Sequence, residues 1–588
     1  MRIAIAVLAG CALAGCARGR GDKPGGDGGN DMVDATLSIA PPTSELVILN
    51  GVPAQATFTA TLTLADGTQR DVTAETMFGI DVAYGSFAAN AVTIGLAGRI
   101  EVRGTYGDKT ATAGLVVRVK SVRVDPSLPP TTAGLFDGPE DPALAPQIRY
   151  PAPGSVMPRN LGDFEIHWTD AHGNNVFEVS LRTELSDVRI YVPGGNGLLT
   201  QGPMASWRAF QASEWLTAVG FQSTVTYQVR GVNAAAPGSV GAAPPETVQL
   251  SNEEMDGGLY YWASASPTNV IGIFRHDMAK PGQRAEEFLT TNQTGGRCIA
   301  CHVLSRDGTK MAITYQDGTD PGVATMVDVA TASVAPSAGN WNFGTFTPDN
   351  AQFLSIEGGT LVVRSAATQA VLATMPTTPA TAWVTHPDLS PDGKKLVYVR
   401  PNTSGTDLDF KAGQIYLRSY DAATYTFGAE LPLVNDGQNN YYPSWSPDGG
   451  WILFNRSGFD SSYDDHNSTV WAIRSDGSQP PVALASANET LGITNSWARW
   501  APFPQTLGAA NEPMYWITMS SKRDFGVRLR NTGLAQRARR AQLWMTPFFP
   551  RRAGQGKDPS VAAFRLPFQN FDSSNHIAQW TEKVVVLE

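Results

Sequence analysis

Cys298-Ile-Ala-Cys301-His302 gathers two thiols and an imidazole within five residues of a 588-residue chain. Two thiols three apart can add across the two vinyl groups of one porphyrin, and an imidazole beside the second thiol can reach its iron. Other chemistry uses the same atoms. The pair could close a disulfide that pins a loop. It could form half of a zinc site, but no second Cys pair exists to complete one. It could act as a thioredoxin-like redox pair, but no βαβ pattern surrounds it. The chain has four Cys, and the other two, Cys11 and Cys16, lie in the N-terminal leader. The body therefore holds this pair and no other cysteine.

The pentapeptide resembles the attachment motif of c-type cytochromes. The resemblance implies that Cys298 and Cys301 carry the thioethers, that His302 is the proximal ligand, and that the cofactor is a covalent haem c. Attachment of that kind happens outside the cytoplasm, and the leader agrees. Arg2 supplies a positive start and Ile3 to Ala14 an apolar run too short to be a stable membrane span. Leu13-Ala-Gly-Cys16 resembles a bacterial lipoprotein box, which implies cleavage before Cys16 and acylation of its thiol. Leu8-Ala-Gly-Cys11 is a second copy, disfavoured because cutting there leaves a meagre apolar core. An ordinary secretory signal is the alternative. Residues 17–35, rich in Gly and Asp, read as a flexible tether.

The elements that must position the motif are strands. With 58 Gly and 40 Pro, turns are frequent, which favours many short strands over long helices. Residues 36–120 alternate apolar and polar residues at period two. The order from Thr59 to Phe78 and from Gly98 to Val119 resembles the bacterial Ig-like domain, with Met77-Phe78 where a Trp is usual in the third strand. Residues 121–147 are Pro-rich and read as a semi-extended linker. Residues 148–250 read as a second β-sandwich, like fibronectin type III, with Trp168 and Trp215 in its core.

Residues 251–588 repeat. Ser305-Arg-Asp-Gly308, Thr347-Pro-Asp-Asn350, Ser390-Pro-Asp-Gly393 and Ser446-Pro-Asp-Gly449 each precede an apolar run. The steps between their Asp residues suit one four-stranded blade. Pro fixes φ, Asp caps its own backbone, and Gly takes φ > 0. A degenerate blade starts at Asn495. Asn575-His-Ile-Ala-Gln-Trp-Thr581 looks like the inner strand missing before Leu259-Tyr-Tyr-Trp262, so the C-terminus is expected to close the first blade. The repeats resemble the TolB-type propeller. The fold class expected is all-β: a six-bladed β-propeller preceded by two β-sandwich domains.

A small cytochrome c needs helices on both sides of its motif. Here only a few residues separate His302 from the turn at Asp307, and upstream Ala285-Glu-Glu-Phe-Leu289 offers one or two helical turns. Any haem is thus expected on a loop between the first two blades. His276 and Met278 are the favoured distal ligands, or the iron is open. Met311 reads as core, and blade geometry explains His386.

A net charge of −10 argues against nucleic acid as a partner. Between Lys522 and Lys557 several Arg crowd together. They read as a solvated loop or, more sharply, a docking patch for an anionic partner. Asp460, Asp464, Asp465 and His466 form an acidic cluster, read as a solvated loop before a calcium site. Gly-x-Ser-x-Gly, a Gly-rich phosphate loop and His-Glu-x-x-His are all missing. The sequence therefore reads as an envelope lipoprotein held to the membrane by its lipid alone, on the periplasmic or cell-surface side of the outer membrane. Its propeller carries one haem for electron transfer or redox-linked binding of an envelope partner. Two other readings stay open: a non-redox binding scaffold with a Cys298–Cys301 disulfide, and a peroxidase-like haem enzyme.

Overall fold

The computed structural model describes residues 34–588 apart from 199–201, 221, 266–269, 316–322, 338, 403–404, 459–460 and 586–588. The leader with Cys16, most of the tether, and Asp460 lie outside the described residues. The chain divides into two compact units. The first comprises the chain up to Leu46, Gln55–Ile94 and Arg99–Val116. Its strands bury alternate residues, as along Gly98–Tyr106, where Ile100 and Val102 face the core. Phe78 stacks on Phe87 at 5.6 Å, while Met77 beside it is exposed.

The second unit begins with a sandwich. One sheet pairs Val176–Arg182 with Ser186–Pro193 and with Thr224–Val232, and the other pairs Phe164–Asp170 with Gln147–Tyr150 and Met204–Phe210. Trp168 and Trp215 are both fully buried. Trp215 sits on an eight-residue helix, Ala212–Val219, that the strand pattern did not disclose. A capping box between Gln211 and Glu214 starts the helix, and Trp215 stacks on Phe164 at 4.5 Å. The Pro-rich segment is not a free linker. Residues 119–124 pair in parallel with 186–191, and the 3-10 helix Pro130–Phe136 buries Phe136 against Tyr191.

Six antiparallel sheets follow in chain order, consistent with propeller blades. Their innermost strands are Ser573–Thr581, Ile299–Leu304, Gly344–Phe346, Thr385–Leu389, Asn439–Trp445 and Ser496–Leu507. The C-terminal strand Ser573–Thr581 lies antiparallel to Gly258–Ala265, so the first sheet is completed by the end of the chain. That removes an open edge. The repeated turn has one construction. Ser305 Oγ donates to Asp307, and the Lys310 amide donates back to Ser305 Oγ. Ser390 with Asp392, Ser446 with Asp448 and Thr347 with Asp349 do the same. Gly308, Gly393 and Gly449 take positive φ there, and Asn350 replaces Gly at φ 56°.

Sandwich and sheets share a charged seam. Arg528 pairs with Glu165 at 2.7 Å and lies over Trp207 at 3.6 Å. His167, fully buried, faces Glu165 through Nε2 at 2.9 Å and accepts the Val527 amide at Nδ1. Arg565 is buried beside Tyr150. Arg540 pairs with Asp572 and Arg552 with Glu512. Arg528 and Arg552 of the Arg-rich stretch are thus spent on structural contacts, while Arg530, Arg537, Arg540 and Arg551 are exposed.

Candidate functional site

The Cys-x-x-Cys-His segment is not on an inter-blade loop. Ile299–Leu304 is the innermost strand of the second sheet, so Cys301 and His302 lie within a strand and Cys298 just before it. Residues 286–290, expected to turn helically, form the outermost strand of the first sheet. β-branched and apolar residues around the motif favour extended backbone, and the turn at Asp307 fixes where the strand must end.

Counting back six residues from each turn Asp gives Cys301, Phe343, His386 and Tyr442. Trp497 and Ile577 hold the matching places in the sixth and first sheets. All six line one cavity. Residues from every innermost strand meet there, which carries the ring arrangement of the sheets. A register shift falls at this place in five of the six strands, between Ile299/His302, Thr385/Asp388, Tyr441/Ser444, Ser496/Arg499 and, opposite Ser573–Thr581, Tyr260/Trp262. His386, Tyr442, Trp497 and Ile577 take positive φ of 47–54°. Bulges of this kind re-aim side chains, and here they turn four of them to the centre. The rings then plug it: Phe343 meets His386 edge-on at 4.3 Å, His386 meets Tyr442 at 4.2 Å, and Tyr442 stacks on Trp497 at 3.9 Å. Cys301 packs against this cluster.

His302, next along the strand at the register shift, also lines this cavity. His302 pairs across from Ile313, whose cluster with Tyr260, Ile273 and Phe288 fills the space between the first and second sheets. It is 1% exposed, and neither ring nitrogen has a hydrogen-bond partner. Burial drives its pKa down to about 4, the Tyr260 backbone opposes this, and Arg499 adds to it. Burial also pushes the Cys298 thiol up.

The donor types suit a haem c, but the space around them does not. The axial cavity holds about 30 Å³, room for about one water, whereas a cofactor pocket spans roughly 300–1,000 Å³. The distal candidates fare no better. His276 pairs across from Leu259 and stacks on Phe568 at 3.9 Å, and Met278 joins the core cluster on that same side. Tyr260, beside His302, is on the opposite side of the sheet, which therefore stands between His302 and both candidates. Met311 is core, as its alternation indicates. Neither thiol is in a disulfide.

Among the described residues, no three His, Cys, Asp or Glu side chains are grouped to hold a metal. Of the acidic cluster, Asp464 is bonded to Lys522 and Asp465 accepts the Asn467 amide. The sequence reading missed Arg499 and Asp388, one step further along the inner strands. Arg499 lines the cavity, and Asp388 accepts the Trp445 amide at 2.8 Å. The signal was present in the constant offset from each turn, which aligns these positions without any motif.

No family model matches the chain, and no curated protein matches it. Solved structures give a distant structural similarity to TolB-like β-propellers. TolB from Acinetobacter baumannii is 12% identical with a TM-score of 0.37, covering 63% of this chain and 85% of that one. A putative TolB from Agrobacterium tumefaciens is 15% identical with a TM-score of 0.30, covering 56% and 99%. The β-propeller domain of the Trilobed protease from Pyrococcus furiosus is 11% identical with a TM-score of 0.26, covering 55% and 79%. Likenesses this distant say nothing of activity.

Proposed function

We propose that this chain is a lipid-anchored envelope protein whose six sheets form a six-bladed propeller, acting as a non-enzymatic binding scaffold for an envelope protein. The N-terminal Ig-like and fibronectin-like modules serve as its stalk. One observation carries the scaffold reading: the innermost strands converge on a centre filled by Phe343, His386, Tyr442 and Trp497, which leaves no substrate-sized space on the axis. Anchorage rests on the leader and Cys16. No helix among the described residues is long and apolar enough to cross a membrane. Crosslinking in intact cells tests the reading. The lipidated protein should give a discrete adduct that disappears when residues 573–588 are deleted. A monomer without adducts, or an adduct indifferent to that deletion, would contradict it.

The covalent-haem reading, for electron transfer or a peroxidase-like activity, keeps one observation in its favour. Two cysteines outside any disulfide flank the start of a strand whose buried imidazole, His302, has no hydrogen bond at either ring nitrogen, and orphaned buried groups call for a cause. It requires residues 298–302 to leave the second sheet. The optical spectrum of protein exported alongside a haem-attachment system separates the readings. The scaffold reading expects no Soret band.

A further inference from the structure

We propose that the axial cavity is a binding site for one small monovalent anion, no larger than a halide or formate. The site rests on the convergence of the inner strands and holds whether or not the motif carries a haem.

Among the described residues, Arg499, His386 and Tyr442 line this space together with His302 and Gln579, and no carboxylate does. Arg499 is the one charged lining residue. Its Nη1 donates to the Ala498 carbonyl, and among the described residues it makes no ion pair. His386 is 4% exposed and Tyr442 2%, yet His386 Nε2 and Tyr442 Oη have no hydrogen-bond partner. His386 Nδ1 accepts the Tyr442 amide at 3.3 Å. This acceptor role puts the ring proton on Nε2, so the unpartnered nitrogen is a donor. A guanidinium, an imidazole N–H and a phenol O–H aimed at one space complement an acceptor.

Charge selects an anion over a neutral acceptor. A guanidinium removed from bulk water without a counter-charge is costly, and its partner must be anionic to offset that cost. The nearest acid is Asp388, whose carboxylate is already used by the Trp445 amide and Thr345 Oγ1. Burial raises its pKa, with Arg306 and Arg499 among the groups that oppose the rise. A cavity of about 30 Å³ excludes a sugar, a nucleotide or a peptide side chain. It admits one atom or a few.

Bromide is the probe. Crystals of the full mature chain grown in bromide should show an anomalous peak between Arg499, His386 and Tyr442. In solution, thermal unfolding in bromide against sulfate at matched ionic strength should show a saturable rise in midpoint. At tenfold the dissociation constant the rise should be about 2 °C. Arg499→Leu should abolish it, Arg499→Lys should retain part of it, and Tyr442→Phe should weaken it. Absence of the axial peak overturns the proposal, and so does an undiminished bromide response in Arg499→Leu. Should Arg499→Leu fail to fold, the wild-type peak and Tyr442→Phe decide.

Discussion

Acidification should destabilise this protein early, through histidines rather than carboxylates. The chain has seven His, and burial holds several of them neutral in the fold. His276 and His576 are each pushed down to about 4 by burial, Asp277 opposing in the first case and Lys522 assisting in the second. His386 lies well below its usual value for the same reason, and His167 is lowered despite Glu165. The unfolded chain takes up these protons near pH 6.5, and the folded chain does so at lower pH, about 4 for His276 and His576. Stability is therefore full above pH 6.5 and falls as pH drops through that value, because the unfolded state binds more protons. For His276 and His576 the loss is about 2 kcal/mol each by pH 5. Glu165, drawn down to about 2 because His167, Arg528 and Arg565 outweigh its burial, loses its contribution only at much lower pH and does not blur this window. Urea midpoints at pH 7.5, 6 and 5, followed by tryptophan fluorescence, measure the effect. His276→Phe keeps a ring against Phe568 and removes one titrating group, so the loss between pH 7.5 and 5 should shrink by about 2 kcal/mol. A flat response in the wild type, or an unchanged slope in the variant, would refute the reasoning.

Three further outcomes follow from particular contacts. Gly526 has φ +49°, and an added Cβ would lie 2.0 Å from His167 Nδ1. Gly526→Ala should thus cost about 2 kcal/mol or more and expose the seam between sandwich and sheets, read by hydrogen exchange at residues 165–169 and 525–529. Trp497→Ala empties the axial plug and should cost about 3–5 kcal/mol in chemical denaturation, with Tyr442 losing its stacking partner. Deleting residues 573–588 strips the inner strand from Gly258–Ala265 and should yield an aggregating or dimerising species by light scattering. A monodisperse, native-like deletion would contradict closure by the C-terminus.

The repeats were legible because each turn needs Ser or Thr, Asp, and a residue tolerant of positive φ at fixed spacing. Those requirements survive in sequence at Ser305, Ser390 and Ser446. Closure by residues 575–581 was legible for a related reason: an unpaired inner strand and an incomplete blade stood at opposite ends of one repeat array. The site was harder to see. Cys298, Cys301 and His302 were conspicuous by type, but a motif carries no backbone conformation, and this one falls at the start of an inner strand. The axial residues Phe343, His386, Tyr442 and Trp497 share no residue type. What unites His386, Tyr442 and Trp497 is a bulge at one register position, a property of tertiary pairing and not of local pattern. The helix at Ala212–Val219 escaped notice because its eight residues are too few to show a helical period among strands. The pairing of Arg528 within the Arg-rich stretch was not legible because its partner Glu165 lies far away in sequence.

Intact mass combined with thiol counting on the mature protein, exported in cells competent for haem attachment, tests most directly whether Cys301 and His302 belong to the inner strand of the second sheet. The account predicts a polypeptide without added tetrapyrrole mass and two thiols, Cys298 and Cys301, that alkylate fully once the chain is unfolded. A covalent porphyrin on those two sulfurs would contradict it.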